Sequence, residues 1–157
     1  MTYDHVYRPD WDEYFIRIAN LIASRSTCLR KQYGAVIVDK DHNIVSTGYN
    51  GAPAGVISCF DEGECIRDML GIDSGTNYEI CKSLHSEMNA IIRSRMSVKG
   101  CDLYIGSLGD KDDRTPCNIC KRIILNAGIE HCIWLTPNGV KVKAIVKDSF
   151  WHGEKVF

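Results

Sequence analysis

Two short segments constrain this chain most: His85-Ser86-Glu87 and, about thirty residues on, Pro116-Cys117-Asn118-Ile119-Cys120. They supply one imidazole, two thiols and one carboxylate. A catalytic zinc site uses three protein ligands, leaves a fourth position open and keeps a general base nearby. If the donors share one ion, two segments far apart in sequence must meet in the fold. Cys117 and Cys120 are three apart at the start of a predicted helix, so their side chains face the same way. The free N–H groups and partial positive charge of a helix N-terminus favour thiolates. Pro116 suits the residue before or at the first turn. His85 and Glu87 are two apart and would not face each other on a regular helix. For both to reach one ion, that segment must also lie near a helix start. His85 is then the third ligand, and the longer Glu87 is an unligated proton carrier aimed past the ion.

The charges fit that division. Two thiolates and a neutral imidazole cancel the charge of Zn²⁺, and the open position lets water ionise near neutral pH. A C-x-x-C pair alone is often a structural clip or a redox pair. The four groups in this order, with proline directly before the first cysteine, favour catalysis.

The chain has 157 residues, the size of one domain, and we expect a single domain over residues 1–157. Hydrophobic residues make up 45% and charged residues 25%, an ordinary globular balance. With 19 basic against 20 acidic residues and no basic run, nothing draws it to nucleic acid or an anionic membrane. No apolar run approaches the roughly 18 residues that span a bilayer. Residues Met1 to Asp12 lack the basic start and apolar stretch of a secretory signal. The expected location is cytoplasmic. Eight cysteines in that compartment point to metal binding or catalysis more than to disulfides.

Asp10 with Glu13 reads as a capping-box helix start, followed by a stripe of Tyr14, Phe15, Ile18, Leu21 and Ile22. Gly34 to Val38 and Ile44 to Gly48 read as an antiparallel hairpin across the turn-rich Asp39 to Asn43. Tyr49 to about Asn77 reads as irregular, long enough to need a function or an anchor. A helix is predicted from Glu79 to about Ser97, a strand from Asp102 to Gly106 and a polar loop from Gly109 to Thr115. A helix from Cys117 to Asn126 closes at Ala127-Gly128. Strands follow at His131 to Thr136 and Val140 to Val146. The alternation predicts an α/β layered domain with a mixed sheet, its later strand–helix–strand units being parallel crossovers.

Several stretches resemble the deoxycytidylate (dCMP) deaminase family: Arg25-Ser-Thr-Cys-Leu-Arg30, Gly34-Ala-Val-Ile-Val38, Ser46-Thr-Gly-Tyr-Asn-Gly-Ala-Pro53, His85-Ser-Glu-Met-Asn-Ala-Ile91, Pro116-Cys-Asn-Ile-Cys120 and Ile124-Leu-Asn-Ala-Gly-Ile129. The H-x-E…P-C-x-x-C pattern alone belongs to a broader group of zinc-dependent nucleobase deaminases. The resemblance implies a three-layer α/β/α cytidine deaminase-like fold with a central mixed β-sheet. It implies conversion of dCMP and water to dUMP and ammonia, feeding thymidylate synthesis. It implies Zn²⁺ on His85, Cys117 and Cys120, with Glu87 moving protons. It implies that Asn50 contacts the deoxyribose, that the Ser86 backbone N–H meets the base carbonyl, and that Arg30 or a neighbour holds the 5′-phosphate. It also implies a homo-oligomer, a hexamer in many members, answering to dCTP and dTTP. Ser86 stands where alanine is more usual. The Leu108 to Thr115 loop is longer than in many zinc deaminases, which places it at the mouth of the site as an influence on specificity.

Some members of the family bind a second, structural zinc, and Cys28 and Cys59 align with that use. Cys65 and Cys81 would complete a four-sulfur shell that pins the long irregular segment; buried free cysteines are the plainer alternative. Cys101 and Cys132 read as core. Two other functions stay open. One is a zinc deaminase acting on tRNA adenosine, free cytidine or guanine. The other is a non-catalytic zinc-stabilised binding module, which would have no need of Glu87.

Overall fold

The computed structural model describes residues 6–150. Helix α1 (Trp11–Ala23) starts at Asp10, whose carboxylate accepts the Glu13 N–H at 2.8 Å. The reciprocal half of the expected capping box is not made, because Glu13 turns to Arg17 at 2.6 Å. Strand β1 (Tyr33–Val38) turns back into β2 (Ile44–Tyr49), and the pair is antiparallel as expected. Two four-residue helices follow, α2 (Cys59–Glu62) and α3 (Ile66–Met69). They interrupt the segment expected to be irregular, and four residues are too few to show a helical period. After one 3₁₀ turn at Tyr78–Ile80 come α4 (Ser86–Arg93), β3 (Asp102–Ser107), α5 (Asn118–Asn126), β4 (His131–Leu135), β5 (Lys141–Ile145) and α6 (Val146–Ser149).

The five strands form one mixed sheet in the order β2-β1-β3-β4-β5. The pair β3 and β4 is parallel, joined across α5; the other three pairs are antiparallel. Alternation along the strands splits the core in two. Val36, Val38, Tyr104 and Ile133 face Phe15, Ile16 and Ala19 of α1. Ala35, Ile37, Leu103, Ile105, Cys132 and Trp134 face Ala90 of α4 and Cys120 and Ile124 of α5. This is the expected three-layer α/β/α arrangement. Cys101 and Cys132 lie in its core, as read from the sequence.

Two predicted helices are corrected. The buried face of α1 is Phe15, Ile16, Ala19 and Ala23, whereas Leu21 is 70% exposed. Small residues are needed there because α1 lies directly on glycines: a Cβ at Gly34 would meet the Ala19 carbonyl oxygen at 2.1 Å. The helix carrying His85 does not begin at Glu79. Gly51 and Leu84 form an isolated antiparallel bridge (N···O 3.1 and 2.9 Å) that keeps the preceding chain extended. It also ends at Arg93, short of Ser97.

Helix α4 is fastened to β2. Asn89 Nδ2 donates to the Tyr49 carbonyl at 2.8 Å and Ser46 Oγ to the Ala90 carbonyl at 2.6 Å. A Cβ at Gly48 would lie 2.3 Å from Ala90 N and 2.4 Å from the Ser86 carbonyl oxygen. Both are backbone atoms, so only a shift of the whole helix would relieve the clash. Gly48→Ala should therefore cost about 3 kcal/mol or more in urea unfolding, and should lower zinc bound per chain by displacing His85. Parental stability and zinc content in that variant would contradict this account of helix placement.

Candidate active site

Both ligand segments sit at helix starts. His85 is the N-cap residue of α4 and Cys117 that of α5, each with extended backbone. The His85 side chain caps nothing and is free to turn into the cavity. Its Nδ1 lies 3.5 Å from Cys117 Sγ and 3.4 Å from Cys120 Sγ. Cys117 Sγ also accepts the Cys120 N–H at 3.4 Å. Zn–N bonds near 2.0–2.1 Å and Zn–S bonds near 2.3 Å, held tetrahedrally, require N···S separations of about 3.6 Å. The observed distances and the donor set both fit zinc. Among the described residues this is the one group of three or more His, Cys, Asp or Glu whose ligand atoms all lie within 4.8 Å of one another.

The local field prepares these donors. Hydrogen bonds from Cys120 and His85 pull the Cys117 thiol down to about 4. Cys120 is pushed far up, first by hydrogen bonding to Cys117 and then by burial. The metal-free pair therefore keeps one proton, and a bound cation would displace it. The Cys117 sulfur raises the His85 imidazole above its ordinary value. Tyr78 packs edge-on against that imidazole, with centroids 4.8 Å apart.

Glu87 lies beside the trio and is not part of it. It is 7% exposed, and burial raises its carboxyl above the ordinary glutamate value. The Ser86 hydroxyl donates to its Oε2 at 3.0 Å. Ser86 is itself fully buried. As the first residue of α4, its N–H has no partner within the helix.

His85, Ser86, Glu87 and Cys117 open on a cavity of about 280 Å³, also lined by Asn50, Arg30, Arg67 and Arg114. Asn50 is largely committed to the fold. Its Oδ1 accepts from Tyr33 N–H (2.8 Å) and Ser26 Oγ (2.6 Å), and its Nδ2 donates to the Lys31 carbonyl (2.8 Å). One amide hydrogen is left. Arg30 is engaged too, with Nε 3.1 Å from Asp68 and one terminal nitrogen 3.0 Å from the Ile72 carbonyl. Cys28, Cys59, Cys65 and Cys81 line the same cavity as free thiols. Their sulfurs do not converge as those of the trio do. Tyr78, Arg67 and Arg114 are cavity residues that sequence reasoning did not name. Only the position of Arg114, in a loop read as the mouth of the site, hinted at a role.

Comparison with known proteins agrees with this geometry. Residues 9–136 match the family described as the cytidine and deoxycytidylate deaminase zinc-binding region. The deoxycytidylate deaminase of Mycobacterium phage D29 is 39% identical over 133 residues, covering 81% of this chain and 95% of the relative. That of Homo sapiens is 36% identical over 129 residues, covering 81% of this chain and 65% of the relative. That of Schizosaccharomyces pombe is 33% identical over 130 residues, and the chain spans 38% of its length. The solved dCMP deaminase of cyanophage S-TIM5, in complex with dCMP and dUMP, superposes with a TM-score of 0.62 at 26% identity, covering 83% of this chain and 84% of that one. No helix among the described residues is long and apolar enough to cross a membrane. A match running from α1 through β4, to a family described by its zinc-binding region, makes this chain a member of the cytidine and deoxycytidylate deaminase family.

Proposed function

We infer that this chain hydrolyses dCMP to dUMP and ammonia. The observation that carries the reading is the convergence of one imidazole nitrogen and two sulfurs beside a buried carboxylate, with His85, Cys117 and Glu87 on one cavity. His85, Cys117 and Cys120 would hold a zinc ion, which would supply the Lewis acidity that makes water a nucleophile near neutral pH. Glu87 takes the proton from water as its oxygen bonds to carbon 4 of the cytosine. The same carboxyl delivers that proton to ring nitrogen 3, then carries the proton of the new C4 hydroxyl to the amino nitrogen, so that the C4–N bond breaks, the C4 carbonyl forms and ammonia leaves. A raised affinity for protons suits a group that must both accept and return one. The Ser86 N–H holds the base carbonyl, and the remaining Asn50 amide hydrogen meets the deoxyribose.

An ammonia-release panel with dCMP, deoxycytidine, CMP, cytidine and tRNA tests the substrate. We expect dCMP to give the highest kcat/KM, and preference for an unphosphorylated nucleoside would reject it. Glu87→Gln should retain zinc yet lose about 10²- to 10⁴-fold in turnover, and parental turnover would remove the proton-carrying role.

The same variant has a stability signature. In the metal-free protein the buried Glu87 binds its proton more tightly folded than unfolded. The folded state therefore loses stability as pH rises from 4.5 through the raised value. Metal-free Glu87→Gln should match the parent in acid and exceed it at neutral pH, as read by urea midpoints across pH. A parent more stable than the variant at neutral pH would contradict the burial argument.

We also propose a structural zinc on Cys28, Cys59, Cys65 and Cys81. Burial, then the neighbouring Cys65, raises the Cys59 thiol, with Cys28 and Cys81 adding to the effect. An ion would draw the four sulfurs together and fasten α2 and α3. Two zinc ions per chain by elemental analysis, falling to one in Cys59→Ser, are the expected result, and one ion in the parent would reject the site. Assembly into a homo-oligomer, with hexamer and dCTP and dTTP response as in the resembled family, belongs to the same reading. Exposed Val56, Ile57, Phe60, Met69 and Leu70 support association.

A further inference from the structure

Two arginines on the cavity are buried without a carboxylate partner. Arg67 is 6% exposed and Arg114 is 5% exposed, and both line the space that reaches His85 and Glu87. Two other cations there are paired, Arg30 with Asp68 at 3.1 Å and Lys31 with Asp112 at 3.6 Å. Among the described residues neither Arg67 nor Arg114 lies within ion-pair distance of an acid, and the Nε of each has no hydrogen-bond partner. Backbone carbonyls hold them instead. Arg67 donates to Asp73 and Thr76 at 2.8 and 2.7 Å, and Arg114 to Gly109 at 3.1 Å. These contacts orient each guanidinium and leave its charge in place. The nearby acids are occupied: Asp112 by Ser107 and Lys31, and Asp113 by the Thr115 N–H at 2.9 Å. Arginine cannot shed its proton, so a buried guanidinium without a counter-charge is costly unless an anion supplies one.

We propose that Arg67 and Arg114 together bind the 5′-phosphate of the substrate, so that they, and not Arg30, decide between nucleotide and nucleoside. The proposal rests on the reading above that the substrate is a nucleoside monophosphate. Position supports it. The Arg67 guanidinium lies 5.0 Å over the Tyr78 ring, and that ring packs against His85. Arg67 is thus one aromatic ring away from the metal ligands, much as a phosphate is one sugar away from its base. Arg114 approaches from the loop between β3 and α5, two residues before Pro116, so the chain that delivers Cys117 delivers this cation as well. A phosphate dianion would complete both forks with charge-assisted hydrogen bonds.

The test compares Arg67→Gln, Arg114→Gln and Arg30→Gln with the parent, all zinc-loaded, for kcat/KM on dCMP and on deoxycytidine. Calorimetric affinity for dUMP and deoxyuridine is measured alongside. Each of the first two variants should lose roughly 10- to 100-fold on dCMP, mostly in KM, and change on deoxycytidine by less than about threefold. Affinity for dUMP should fall in step, while Arg30→Gln keeps a preference for dCMP within about threefold of the parent. Equal losses on both substrates would show loop-pinning roles and overturn the assignment, as would loss of the preference in Arg30→Gln alone. A parent that prefers dCMP, with the preference intact in both variants, rejects only the arginine assignment. A parent without that preference rejects the substrate reading and this proposal together. If Arg67→Gln loses its melting transition, Arg67→Lys keeps the test open. It holds the charge without the bidentate fork, so an intermediate loss confined to dCMP and dUMP is expected, and no such loss would count against Arg67.

Discussion

Two helices begin at one point, and most of the molecule serves to let them. His85 opens α4 and Cys117 opens α5, so both segments bring free N–H groups and the positive end of a helix to the same place. That field favours negative charge and lowers Cys117, while burial works against it at Glu87. The convergence depends on distances set elsewhere. The position of α4 is fixed by its contact with Gly48, by Asn89 on the Tyr49 carbonyl, and by the Gly51–Leu84 bridge just before His85. The position of α5 follows from the parallel pairing of β3 and β4, which it connects. Close packing between backbones makes this precision possible. A side chain at Gly48 would move His85 relative to two sulfurs that already stand at tetrahedral spacing from it.

The trio and Glu87 were legible because their chemistry is carried by residue type and spacing. The two-residue step from His85 to Glu87 required a helix start, and α4 does start there. The hairpin and the strand–helix–strand unit were legible for a similar reason, since turns and hydrophobic alternation are local. Local reading failed where a distant partner decided the outcome. The residues before Ser86 stay extended because Gly51, far back in the chain, pairs with Leu84. The buried face of α1 was misjudged toward large residues because Gly34, on the strand beneath, demands Ala19 and Ala23 instead. Residues 151–157 lie outside the described residues.

Charged residues show the same limit more sharply. Arg30 sits in a stretch shared with the resembled family, yet its guanidinium is engaged by Asp68 and Ile72, about forty residues away. The resemblance makes Asn50 a sugar contact, yet it spends most of its hydrogen bonds tying residues 26–33 together. Arg67 and Arg114 carried little local mark. What distinguishes them is burial without a counter-charge, a property of the folded chain that no window of sequence contains.

The long segment from Asn50 to Leu84 brings these properties together. It supplies Arg67, Tyr78 and three of the five cysteines that line the cavity, while the sheet and the helix starts supply the metal ligands and Glu87. The two parts differ in what stabilises them. Strands and helices satisfy their own backbone and bury apolar side chains. The cavity wall buries Arg67 beside free thiols, and Glu87 stands opposite with its carboxyl pushed upward. Empty, such a site costs the folded state; a metal ion and an anionic substrate would each remove part of that cost. Metal and nucleotide should therefore act on folding as well as on chemistry, with the largest effect where the chain has least regular structure of its own.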